Sequence, residues 1–320
     1  MLHSTHHELL AQVASLYYEQ NLTQTDIADR LGLSRVKVYR LLTEAREAGV
    51  VRIQIDWPIQ RDSDLEAHLR SYFGLPEPLV LKTGLTDPAG TLAQLGQLAA
   101  TLFETHLTNA RAVALCPGRS THAVVHALKP NIAANIRVVQ AIGNMPDALL
   151  EYDAAALARG LAQKLGGDVV YLSSPLVADT VESAAVLRTQ RDIARALDAA
   201  RGADLALVGV GDLDSVSSGF VRTGLLSATE LEALRTDGAA GDIAWRIFDQ
   251  AGHLHPCDFN QRVIGLSLAD LTGIPIVMAV AAGIHKADAI RAALQSGALH
   301  TLVTDDRTAA MVVRGAAGDE

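Results

Sequence analysis

Apolar side chains recur at helical spacing through the first fifty or so residues, and in short continuous runs after that. Leu9, Leu10, Val13, Leu16 and Tyr17 trace one face of an amphipathic helix. The run Val50-Val51-Arg52-Ile53-Gln54-Ile55-Asp56 alternates apolar and polar side chains like a strand, and Trp57-Pro58 breaks it. A further helix is expected on Leu65, Leu69, Tyr72 and Phe73, with Asp62 or Ser63 as N-cap and Gly74 as its end. It either links two domains or pairs with its copy in a dimer. Beyond it, apolar runs alternate with helical segments: Pro78 to Lys82, Ala112 to Cys116, Arg137 to Ala141, Asp168 to Leu172, Asp204 to Val210, Pro275 to Ala281 and Leu299 to Thr304. That order predicts the α/β class, with a larger Rossmann-like domain built on a mainly parallel sheet.

Between Gln24 and Thr43 the pattern solves a narrower problem, the steep crossing of two short helices. Ala28 is small enough for the second helix to approach, Gly32 suits a left-handed turn and Leu33 plugs the corner. Ile27, Leu31, Val38 and Leu41 then face one another. Ser34 stands where the second helix needs an N-cap. The same register turns Arg35, Val36, Tyr39, Arg40 and Thr43 outward, a helix-turn-helix face for a DNA major groove. Lys37 adds charge to it, and Gln24 and Thr25 open the first helix on the side that would cross the backbone. Arg35 and Arg40 suit either guanine or phosphate, and Tyr39 and Thr43 either thymine methyls or phosphate. The run Val50 to Asp56 fits a wing of this motif and an interdomain strand equally well. The expected division is a winged helix-turn-helix over residues 1–56, a linker helix over 57–75 and an α/β effector and oligomerisation domain over 76–320.

Three turns of the large domain carry the candidate binding chemistry. Cys116-Pro117-Gly118-Arg119-Ser120-Thr121 joins a strand to a helix, and its amides, hydroxyls and guanidinium suit a phosphate. Ala282-Gly283-Ile284-His285-Lys286 is a second such turn, where Lys286 supplies a point charge. Each alone also reads as an ordinary tight turn, but ligands gather beyond the carboxyl ends of parallel strands. The third, Thr304-Asp305-Asp306-Arg307-Thr308, is expected to cap a helix with its carboxylates.

Composition narrows the function classes. A net charge of −9 argues against non-specific coating of nucleic acid, yet Arg30, Arg35, Lys37 and Arg40 give the local cationic face that a sequence-specific reader needs. Cys116 and Cys257 are too few and too far apart for a disulfide framework or a four-ligand zinc module. His253, His255 and Cys257 alternate, but Pro256 intervenes and no fourth ligand lies nearby, so no metal or other cofactor is expected. Cys116 ends an apolar run and reads as a packing residue rather than a nucleophile. The N-terminus lacks the basic segment and apolar core of a signal peptide, and the apolar stretch Ile274 to Ile284 is too short to span a bilayer, so a cytoplasmic protein is expected.

The chain resembles the SorC family of bacterial regulators over nearly its whole length. The resemblance rests on Leu33-Ser34-Arg35 through Ala48-Gly49-Val50-Val51, Pro117-Gly118-Arg119-Ser120, Tyr171-Leu172-Ser173-Ser174-Pro175-Leu176 and Ala203-Asp204-Leu205 through Gly211. Towards the C-terminus it rests on Gly238 to Ile243, Asn260-Gln261-Arg262-Val263-Ile264-Gly265-Leu266, Lys286-Ala287-Asp288-Ala289-Ile290 and Leu302-Val303-Thr304-Asp305. It implies a transcription regulator of carbohydrate metabolism whose operator affinity responds to a phosphorylated sugar or polyol; reading two matched half-sites calls for a dimer or tetramer, and the resemblance favours the tetramer. It implies ligand contacts at Ser120, Thr121, Gly143, Arg222, Asp242 and Lys286; the turns themselves add Gly118, Arg119, Gly283 and His285. Asp212 completes the candidate set. A competing expectation is a sugar-phosphate isomerase or deaminase using Asp212, Asp242 and His285 as acid and base, although no motif joins them.

Overall fold

The computed structural model describes residues 2–51, 58–84, 88–129, 135–145 and 153–317. They fall into two compact units, Met1–Pro58 and Ile59–Glu320.

The smaller unit holds helices α1 (Leu2–Tyr18), α2 (Gln24–Leu31) and α3 (Arg35–Glu47). Its core is Leu10, Val13 and Leu16 of α1 against Ile27 and Ala28 of α2 and Val38, Leu41, Leu42 and Ala45 of α3. Leu31 and Leu33 pack at its edge, as the helical spacing predicts. The wing expected over Val50 to Asp56 lies mostly outside the described residues.

In the larger unit, helices alternate with strands: α4 (Ser63–Phe73), β1 (Leu79–Leu81), α5 (Pro88–Leu107), β2 (Ala112–Leu115), α6 (Arg119–Ala127), β3 (Arg137–Gln140), α7 (Ala154–Leu165) and β4 (Val169–Val170). Then come β5 (Leu205–Gly211), β6 (Ala239–Ile243), β7 (Arg246–Asp249), β8 (Ile276–Val280) and β9 (Thr301–Asp305), with further helices between them. Among the described residues, β1, β9, β8, β5, β2, β3 and β4 lie side by side in that order, every pair parallel. These are the seven runs singled out in the sequence. Their side chains alternate between two cores: Leu79, Leu81, Val113 and Leu115 enter one with Leu95, Phe103 and Leu161. Val80, Ala114, Ala206 and Val208 enter the other with Leu69, Ile290 and Val312. Burial on both faces explains why the runs are continuously apolar.

Two findings differ from the sequence pattern. Helix α4, read as a link or a dimer contact, is packed into the larger unit: Leu69 is fully buried, and the buried Glu66 carboxylate accepts from the Val80 N–H at 3.0 Å and pairs with Arg61. The antiparallel hairpin of β6 and β7, which attaches to the end of β5, was not foreseen. Its turn residues Ala244 and Trp245 take φ of 52° and 63°, where a hairpin normally uses Asn or Gly. Packing supports that strain: the Trp245 ring meets Phe220 edge-on at 5.1 Å, and Arg246, buried at the next position, donates to the Leu266, Asn260, Val263 and Gly265 carbonyls. Among the described residues no helix is long and apolar enough to cross a membrane.

Gly143, beyond β3, donates its N–H to the Ile264 carbonyl at 2.9 Å, and a Cβ there would lie 2.3 Å from the Pro175 carbonyl oxygen. Backbone cannot yield as a side-chain tip does. Gly143→Ala should therefore cost about 3 kcal/mol, the upper end of overpacking penalties, measured as a lower urea midpoint.

Candidate functional site

The helix-turn-helix face is built from its caps. Thr23 accepts the Asp26 N–H on its hydroxyl at 3.3 Å while its own N–H donates to the Asp26 carboxylate at 3.1 Å, starting α2 with a reciprocal pair. Thr23 was missed in the sequence, although the Thr-x-x-Asp spacing carries it. The Thr23 hydroxyl, donating to the Asp26 carboxylate at 2.6 Å, and then the Thr23 N–H hold the Asp26 carboxyl below its ordinary range. Gly32 takes a left-handed φ of 65°, Leu33 N–H returns to the Ala28 carbonyl at 2.9 Å, and Ser34 accepts from the Lys37 N–H at 3.2 Å. With Val38 and Leu41 inward, Arg35, Val36, Lys37, Tyr39 and Arg40 are exposed. Val36 is 62% and Tyr39 57% accessible, so both side chains are open to a partner on this face. Thr43 is half-buried, with its hydroxyl donating to the Tyr39 carbonyl at 3.1 Å, so it stands at the margin of this face. Thr25 is exposed and Gln24 half-buried at the start of α2.

In the larger unit, a cavity of about 470 Å³ opens at the carboxyl ends of β2, β5, β8 and β9. It sits where the strand order reverses between β2 and β5, the crevice that an open α/β sheet leaves free. Gly118, Arg119, Ser120, Asp212, Asp242, Gly283, His285 and Lys286 all line it. Three expected residues do not. Thr121 is buried and its hydroxyl donates to the Gly118 carbonyl at 3.0 Å, locking the turn; Gly143 is wedged between backbones; Arg222 is the exposed last residue of the short helix Gly219–Arg222, whose first residue, Gly219, lines the cavity in its place.

Glycine at the N-cap of α6 offers no side chain to its first amides, so their dipoles face the cavity beside Arg119. The Lys286 ammonium donates to the Val210 carbonyl at 2.9 Å. Burial lowers its pKa most; Asp212 raises it, Arg119 lowers it and Asp242 raises it. Burial likewise pushes Asp242 up to about 7, against Lys286 and the Trp245 N–H, which lower it, and with Asp212, which raises it. Gly211 is bare because a Cβ would collide with the Asp242 carboxylate, 1.9 Å from Oδ1. Asp212 is fixed by the Ser217 hydroxyl at 2.7 Å and the Asp214 N–H at 3.0 Å, with His285 3.7 Å away. The Gly283 N–H is already shared by the Asp305 carboxylate at 3.0 Å and the Thr308 hydroxyl at 2.8 Å. Asp305 caps the last helix through the Thr308 N–H at 2.8 Å, as expected, and also lines the cavity.

Thr83, Thr91, Ser217, Trp245 and Arg307 complete the polar wall and were missed. The loop after β1 could have been found by treating that strand like the others; Trp245 could not, since it depends on the unforeseen hairpin. Cys116 is buried and its thiol is pushed up to about 12, by burial and then by Asp242, so it stays protonated at neutral pH. His255 is buried against Asp237, 3.4 Å from Oδ2, while His253 faces Asp249 at 3.7 Å. Among the described residues no cluster of His, Cys, Asp or Glu is placed to hold a metal.

Residues 57–314 match the family described as "Putative sugar-binding domain", and residues 6–61 match the Crp-like helix-turn-helix domain. The chain is 32% identical over 315 residues to the transcriptional regulator LsrR of an Enterobacter species, covering 97% of this chain and 94% of that one. It is 33% identical to LsrR of Escherichia coli K12, covering 96% and 95%. Among solved structures, the full-length sorbitol operon regulator SorC from Klebsiella pneumoniae superposes with a TM-score of 0.71 at 26% identity, over 96% of this chain and 99% of that one. The chain belongs to the SorC family of sugar-binding transcriptional regulators. A DeoR family regulator from Listeria monocytogenes is also similar, with a TM-score of 0.73 at 27% identity over 78% of this chain and 98% of that one. The two SorC-family modules are the two units above, a helix-turn-helix for DNA and an α/β domain for a sugar-type effector. Relatives named as transcriptional regulators decide against the isomerase or deaminase reading.

Because Asp242 is raised from 3.8 to about 7, the folded chain keeps a proton that the unfolded chain has already released. This stability is present in full below the unfolded value and is lost as pH rises through about 7. Asp242→Asn should flatten the fall in stability between pH 4 and 7.5, read by thermal melts at low and neutral pH.

Proposed function

We propose that the cavity binds a phosphorylated sugar or polyol and that its occupancy sets how firmly the outer face of α3 holds an operator. The observation that carries this is the convergence in one cavity of the Lys286 ammonium, the Arg119 guanidinium and the uncapped start of α6 with the carboxylates of Asp212 and Asp242. Cations with helix amides receive a phosphate, and the carboxylates accept from sugar hydroxyls. Gly118, Ser120, Gly283 and His285 shape the contact, and Asp242 in its protonated form also donates to a hydroxyl.

On the DNA side, Arg35, Lys37 and Arg40 supply charge, Ser34 anchors the helix start, and Val36 and Tyr39 meet base edges or sugars. Gln24, Thr25 and Thr43 flank them. The protein acts as a cytoplasmic dimer or tetramer, because reading two half-sites about 34 Å apart takes matched recognition helices. The effector works by differential affinity for two subunit arrangements, in either direction of control over carbohydrate genes.

The test is a gel shift on DNA upstream of the protein's own gene, with and without sugar phosphates. Arg35→Ala with Arg40→Ala should abolish the shift at physiological salt and reduce the salt slope by about 2, one for each phosphate no longer neutralised. Lys286→Ala and Arg119→Ala should each weaken the effector by about 10- to 100-fold in calorimetry, with operator binding in its absence retained. Loss of neither would overturn the assignment.

A further inference from the structure

Beside the effector cavity lies a second, polar chamber of about 410 Å³. The two share Asp212 and His285 as walls. Strand β6 borders both spaces: Asp242 lines the first cavity, and Ala239 and Ala240, at a bulge in the strand, line the second. The two spaces therefore adjoin along β6, with the Asp212–His285 pair common to both. Asp212 is buried, 4% exposed and held by Ser217 and Asp214. His285 is less enclosed: its side chain is 45% exposed and lies 3.7 Å from the Asp212 carboxylate. Its ring folds back over Gly283, where φ is 115° and a Cβ would sit 2.5 Å from ring Cε1.

Resting on the effector reading above, we propose that His285 is the specificity-determining wall of the site and that the second chamber is a subsite for sugar hydroxyls, closed off while the ring stays over Gly283. An effector held by its phosphate at the start of α6 and by its hydroxyls at Asp242 runs along β6 toward this wall. A monosaccharide phosphate ends before it. A disaccharide phosphate has to pass it. Beyond the wall, Thr236 and Gln250 present donors and acceptors suited to a second sugar ring, beside Arg235, whose guanidinium pairs with Glu232 at 2.8 Å and keeps further N–H groups to donate. The wild-type wall excludes that ring by sterics, so the chain selects effector length at a position remote from the phosphate.

The experiment titrates the full-length chain and its His285→Ala and His285→Gln variants by calorimetry. One panel holds pentose and hexose monophosphates, glucose-6-phosphate and sorbitol-6-phosphate among them; the other holds disaccharide monophosphates, including trehalose-6-phosphate. The expected result is that wild type binds members of the first panel only. His285→Ala gains about tenfold or more for the second panel, the worth of one or two new hydrogen bonds. His285→Gln, which refills the gap, does not. Adding Arg235→Ala to His285→Ala removes the gain. If wild type binds the first panel and His285→Ala gains nothing, or if wild type already takes disaccharide phosphates, the wall is refuted while the effector site stands. If wild type binds neither panel, the sugar-phosphate reading itself falls and takes the wall with it.

Discussion

A parallel sheet can be crossed only by connections that return over its faces, so where the strand order reverses, two connections leave in opposite directions and nothing fills the gap between them. In this chain the reversal falls between β2 and β5. Every charged group of the effector site stands at that gap or on the neighbouring ends of β8 and β9. The crevice therefore precedes the chemistry: it exists because of strand order, and the side chains around it are tolerated because they reach solvent or a ligand there.

Tolerance is narrow. Lys286 and Asp242 sit deep enough for burial to be the largest influence on both, lowering the one and raising the other toward their neutral forms. Asp212, held by Ser217 and Asp214, lies close enough to raise both. In the proposed function, a phosphate entering beside Arg119 would bring the negative charge that stabilises the lysine cation, while the hydroxyl end of the same molecule would meet the carboxylates. Complementarity of this kind favours a zwitterion-like arrangement of site and ligand over a simple basic pocket, and it matches an overall charge of −9 that would repel an anion from most of the surface.

Much of this architecture is legible in the sequence. The seven parallel strands followed from continuous apolar runs, since strands buried on both faces have no polar side to show. The helix-turn-helix followed from Ala28, Gly32, Leu33 and Ser34, whose sizes and conformations are local requirements. Eight of the eleven expected effector residues line one cavity. The failures were of another kind. Thr121 bonds its own turn, Gly143 is needed by the Pro175 backbone, and the β6–β7 hairpin turns on Ala244 and Trp245 with none of the usual turn residues. The glycine and the hairpin depend on partners far away in the chain, which no local spacing reports, and the Thr121 hydroxyl turns inward because its helix packs that face against the sheet.

Sequence alone determined the class of each module and the residues at each strand end, because side-chain period, caps and turn glycines act over a few residues. Tertiary structure decided which strand ends share a crevice, that α4 belongs to the larger unit, and that Asp242 and Lys286 act on each other with Asp212 raising both. Those outcomes depend on sheet order and on long-range packing, and Coulomb interactions are set by distance in space, to which separation along the chain is no guide.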